Sequence, residues 1–141
     1  MSDSVTRSIN SAVQKTYEWL VDVEQELHTD DRQVAYHALR AVLHALRDRL
    51  PVEEAAHLAA ELPILLRGLY YEGWRPSHKP EKLDRDEFLA RVAETYDASP
   101  TLDPLWLTHA VLAVLDKRVA AGEMSDVRGT LPKDFMELWP A

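Results

Sequence analysis

Residues 41–70 read AVLHALRDRLPVEEAAHLAAELPILLRGLY, and residues 110–139 read AVLAVLDKRVAAGEMSDVRGTLPKDFMELW. A shift from 41 to 110 lays one stretch over the other without a gap, and it extends backward to pair residues 19–70 with residues 88–139. Leu20, Val23, Ala41, Val42, Leu43, Leu46, Arg49, Glu54, Leu62, Pro63 and Leu69 then fall on identical residues. Their counterparts are Leu89, Val92, Ala110, Val111, Leu112, Leu115, Arg118, Glu123, Leu131, Pro132 and Leu138. Trp19 meets Phe88, Leu66 meets Phe135, and Tyr70 meets Trp139. A Leu-Pro pair with an aromatic residue further on, in both halves, is a corner signal, because proline turns its predecessor out of the helical region. Each half is one helical unit whose apolar face needs cover, and the other half is the natural cover. The expected fold is all-α: two tandem pseudo-symmetric helical repeats packed as one compact domain over residues 1–141. The repeats are 19–70 and 88–139, and the linker is 73–83.

Outward from the repeat, the periodicity is helical throughout. Val5, Ile9, Val13, Tyr17, Leu20 and Leu27 stand at three-, four- or seven-residue steps, which predicts a first helix over Ser4 to Leu27. Thr29 or Asp30 suits the cap of a second helix, whose apolar face is Ala35, Leu39, Val42, Leu43, Leu46 and Leu50. Pro51 and Pro63 open a third and a fourth segment, and Gly73 ends the fourth. No stretch alternates with period two, so no strand is expected. The sixth helix, around Trp106 to Val114, is apolar nearly all round and is expected at the buried centre or against another subunit. Val5, Ile9 and Val13 have no counterpart in the second repeat; they are expected to cover that helix or to join a neighbouring copy, and a homodimer is the favoured outcome.

Composition removes whole classes of function. The 141 residues hold no cysteine, which excludes thiol nucleophiles, thiolate zinc sites and disulfides. A net charge of −8, spread over both halves, opposes binding to phosphate backbones, so no nucleic-acid partner is expected. The longest apolar run, Ala110 to Leu115, is far short of a bilayer span, and Met1 to Asn10 is too polar for a leader. A soluble, cytoplasmic protein with no membrane partner is the expectation.

Few residue groups offer chemistry. Glu54 and His57 stand one helical turn apart, and Glu123 and Asp126 repeat that spacing in the second half. Di-iron bundles use Glu-x-x-His motifs with further glutamates, but here the glutamates fall in first turns, where they complement the helix dipole. That bland reading is preferred, and no stoichiometric iron or zinc is expected. His37, Arg40, His44 and Arg47 form a stripe on the second helix that reads as a solvated cationic face. Tyr70, Tyr71, Trp74 and Arg75, with Lys79 and Lys82 nearby, read as rings that close the end of the first repeat rather than as a nucleic-acid platform. No glycine-framed serine and no phosphate-cradling loop is present. No catalytic, cofactor-binding or metal-ligating residue is assigned, and no cofactor is expected.

The strings LPILLRGLYYEGWRP (62–76), EFLARV (87–92) and LPKDFMELWP (131–140) resemble the bacterial family catalogued as domain of unknown function 2267, over roughly Tyr17 to Pro140. The resemblance implies a compact two-repeat helical protein of prokaryotic origin and carries no activity, cofactor or catalytic residue. The expected function is that of a non-catalytic interaction or assembly module with an unknown protein partner. The alternative is a small-ligand or metal-binding protein, with enzyme activity left open, whose pocket lies between the repeats.

Overall fold

The computed structural model describes residues 3–76 and 81–140. Part of the expected linker at 73–83, and Lys79 within it, therefore lie outside the described residues. Seven α-helices follow in order: α1 (Ser4–Leu27), α2 (Arg32–Arg49), α3 (Val52–Ala60), α4 (Ile64–Tyr71), α5 (Arg85–Tyr96), α6 (Pro104–Arg118) and α7 (Ala121–Gly129). A 3-10 helix, Lys133–Leu138, follows them, and no strand occurs among the described residues.

Local chemistry sets the helix bounds. Asp3 caps α1 by accepting from the Thr6 amide at 2.7 Å. Asp31, one residue past the expected cap, accepts from the Gln33 and Val34 amides at 3.0 and 3.4 Å; Thr29 instead accepts from the Asp31 amide. Asp84 and Glu87 form a reciprocal capping box on α5, and Asp103 caps α6 ahead of Pro104. Gly73 turns the chain after α4 with φ +77°, a conformation that costs glycine little.

The four long helices form the body. α1 packs on α2 and α6, α5 packs on α2 and α6, and α2 also touches α6. Leu39, Leu43, Leu46, Leu107, Val111 and Leu112 fill the space between them, and Phe88 meets Phe135 edge-on at 5.6 Å. Asp22 of α1, itself buried, ties down the end of α6 by accepting from Arg118 at 2.6 Å and Lys117 at 3.2 Å. Burial alone would raise the Asp22 carboxyl, but those two cations outweigh it and hold it below the usual carboxylate range.

Two expectations are modified. The centre is not α6 alone but α2 and α6 together: α2 packs on α1, α3, α4, α5 and α6, and α6 packs on α1, α2, α5, α7 and the 3-10 helix, although Trp106 of α6 stays 42% exposed. The cationic stripe of α2 is likewise not a solvated face, because His44 and Arg47 are buried. The His44 ring bonds the Leu69 carbonyl through Nε2 at 2.7 Å, and Arg47 donates to the Tyr70 and Glu72 carbonyls at 2.9 and 2.6 Å. Leu69 and Tyr70 lie in the last turn of α4 and Glu72 just past it, where carbonyls lack a full set of intrahelical partners. The stripe thus works as a cap on the end of α4 supplied from another helix, beside the Glu72 amide that also reaches Leu69. Burial lowers the His44 pKa, and the positive charges of Arg47 and Arg40 add to that, against the Leu69 hydrogen bond.

Removing this cap has a measurable cost. Arg47→Met strands the Tyr70 carbonyl in the interior and removes the bond to the Glu72 carbonyl at its edge, and is expected to cost about 2 kcal/mol, or roughly 6–8 °C in Tm. Arg40, whose 3.5 Å pair with Glu72 lies at the surface, is expected to cost under about 1 kcal/mol when changed to Met. Equal losses in thermal melts of the two variants would contradict the buried-cap role.

Candidate functional site

α3 and α7 lie side by side on the body. α3 is held from α4: Arg67 donates to the carbonyls of Ala59, Ala60 and Leu62 at 3.0, 3.3 and 3.1 Å, and the buried Tyr70 hydroxyl donates to Ala55 at 2.8 Å. The start of α7 is held from the first half of the chain, since Glu61 accepts from the Ala120 amide at 3.1 Å. Neither helix has a side-chain cap of its own.

This packing brings Glu54 and His57 of α3 together with Glu123 of α7. One carboxylate oxygen from each glutamate and one ring nitrogen of His57 all lie within 4.8 Å of one another. The glutamates are half-buried and the histidine is exposed. Glu54 Oε2 and Glu123 Oε2 are shut off from solvent, and apart from the facing carboxyl no donor among the described residues reaches them. Two carboxylates at this distance do not both ionise freely. Burial, a hydrogen bond to Glu54 and the Glu54 charge push the Glu123 carboxyl up to about 8, with Asp126 and Glu61 adding to the negative field. The arrangement stores a proton at neutral pH, and its three donors are of the kinds that hold a metal ion.

Asp126, which repeats the position of His57 in sequence, stays exposed on α7 and is not among the three donors. His57 joins the glutamates and not His44, whose ring is committed to α4. His37 packs edge-on against Tyr36 and Tyr96. Within the aromatic group, Tyr70 is buried and Tyr71 stacks on Trp74 with ring centres 5.2 Å apart. The sequence already sets Glu54 and Glu123 side by side as possible ligands, with dipole capping as the preferred reading; the added signal for their meeting is that they are the one acidic identity in the repeat alignment.

A second feature is the N-terminal part of α1. Val5, Ile9 and Val13 project past the body and stay 65, 60 and 39% exposed. Where α1 leaves the body, a groove of about 560 Å³ opens between Ala12, Lys15 and Trp19 of α1 and Ile64 and Arg67 of α4. The stripe does not cover α6 near Trp106, whose ring lies beside His28 at the other end of α1.

Residues 16–138 match a family described as an uncharacterized conserved protein, DUF2267. The chain belongs to the DUF2267 family. The match begins just after the projecting turns, so Val5, Ile9 and Val13 lie outside it while Glu54, His57 and Glu123 lie inside. No curated protein matches the chain. No helix of the described residues is long and apolar enough to cross a membrane.

The acid pair sets a pH dependence. The folded chain keeps on Glu123 a proton that a free glutamate, near 4.5, releases. That stabilisation is complete below about pH 4.5 and is lost as pH rises through about 8. Tm is expected to fall across this window, by the equivalent of about 1 kcal/mol at a site partly open to water. Glu123→Gln should flatten the decline relative to the parent chain; parallel Tm profiles for the two proteins from pH 5 to 9 would contradict the shared proton.

Proposed function

We propose that this DUF2267 protein is a non-catalytic interaction and assembly module of the bacterial cytoplasm, and that the projecting turns of α1 are its docking face. The observation that carries this reading is the exposure of Val5, Ile9 and Val13 at four-residue steps on one side of a helix that continues into the core. At about 25 cal/mol per Å², covering three such side chains contributes several kcal/mol, enough to favour association. The simplest partner is a second copy in a twofold dimer.

The body behind this face is read as one domain made of two repeats, 19–70 and 88–139, joined by 73–83. The element bounds support that reading. Helices end at Leu27 and Tyr96, at Arg49 and Arg118, and at Ala60 and Gly129, with one constant spacing. Pro63 and Pro132 each precede a short helix that buries Leu66 or Phe135, although the first is an α-helix and the second 3-10. The packing pairs exchange in the same way: α1 on α2 answers to α5 on α6, and α2 on α5 answers to α6 on α1.

Ile9→Glu tests the docking face. Light scattering should find the full chain dimeric at micromolar concentration and the variant monomeric. Tm measured on dilute protein should agree within about 3 °C, because Ile9 lies outside the core. A full chain that stays monomeric throughout that range would rule out self-assembly.

A further inference from the structure

We propose that Glu54, His57 and Glu123 form a binding site for a divalent transition cation of the zinc class, held between α3 and α7. The three donors come from two helices. Glu54 and His57 project from one side of α3, a turn apart, and Glu123 faces them from α7. Bonds of about 2.0–2.2 Å place neighbouring donors around an ion roughly 3–4 Å apart. A set already within 4.8 Å therefore closes on one ion by small side-chain rotations.

The orphaned oxygens point the same way independently. Other buried carboxylates of this protein have cations: Asp22 has Lys117 and Arg118, and Glu24 has Arg32 at 2.8 Å. Glu54 Oε2 and Glu123 Oε2 are closed to solvent although their side chains are half-buried, and among the described residues they meet no cation and no donor apart from the facing carboxyl. A bare carboxylate in that position is costly, so the oxygens require either a proton or a positive ion. Asp126 and Glu61 reinforce the negative field around Glu123, which attracts a cation to this seam.

The donor types select the ion. Calcium and magnesium take oxygen ligands almost exclusively, whereas an imidazole with two carboxylates suits zinc. Three protein ligands leave the fourth tetrahedral position to water. This site is separate from the projecting turns of α1 and stands or falls independently of the assembly reading.

The test is calorimetric titration of chelator-stripped full-length protein with zinc chloride. One ion per chain is expected, with Kd in the micromolar range, about −8 kcal/mol. Glu123→Gln and His57→Ala should each weaken binding about tenfold or more, while Asp126→Asn, on the same helix but outside the trio, should stay within about threefold. His57 is exposed, so its variant folds even if a glutamate variant does not. Calcium chloride should bind at least about tenfold more weakly than zinc. No zinc binding up to about 1 mM, or binding that neither Glu123→Gln nor His57→Ala weakens, would overturn the site. Calcium affinity equal to that for zinc would overturn its assignment to the zinc class.

Discussion

The buried polar edge of α2 is the constraint on which the remaining structure depends. From Ala41 to Arg47 α2 is enclosed by its neighbours, so His44 and Arg47 have no water to face and each has to find an acceptor in the interior. They find it in the last carbonyls of α4, which a free helix end would have given to water. With α4 pinned, Tyr70 and Arg67 reach back to fix α3, and the position of α3 fixes Glu54 and His57. The geometry of the acid pair thus traces to a polar contact between helices that hold no part of the pair.

Charge is handled in two contrasting ways within one acidic chain. Most of the secluded carboxylates join elements: Asp22 links α1 to α6, and Asp48 of α2 meets Arg47 beside it and Arg91 of α5. Arg91 also grips Glu81 at 2.8 and 3.0 Å, which anchors the chain entering α5. Such pairs offset desolvation with opposite charge. Glu54 and Glu123 do the reverse, bringing like charges together at a helix seam, where a shared proton offsets the repulsion.

Helix existence was legible in the sequence because it depends on local signals. The apolar steps from Val5 to Leu27 place α1, and the Leu-Pro corners place the short helices that follow Pro63 and Pro132. That α2 shares the centre with α6 was not legible. Periodicity weighs apolar against polar residues, and α2 loses that comparison to α6 because its buried Arg47 and His44 look like surface residues until their acceptors are known. The acid pair was in view as a candidate ligand set but was set aside for a related reason. A first-turn glutamate beside a helix dipole is an adequate explanation of either residue alone, and only the contact of α3 with α7 makes the two a single object.

α1 is one unbroken helix, and this gives the projecting turns a mechanical meaning. From Ser4 to the first buried residue, Trp19, the chain advances roughly 22 Å along a single axis at about 1.5 Å per residue. Anything grasped at Ile9 is therefore held at a set distance and a set angle from the bundle, as on a rigid shaft. Each residue added to or lost from the segment between Val13 and Trp19 turns the exposed apolar face by about 100° about that axis, leaving both the face and the body intact. The number of residues in that segment is thus an instruction about direction, carried independently of what the residues are.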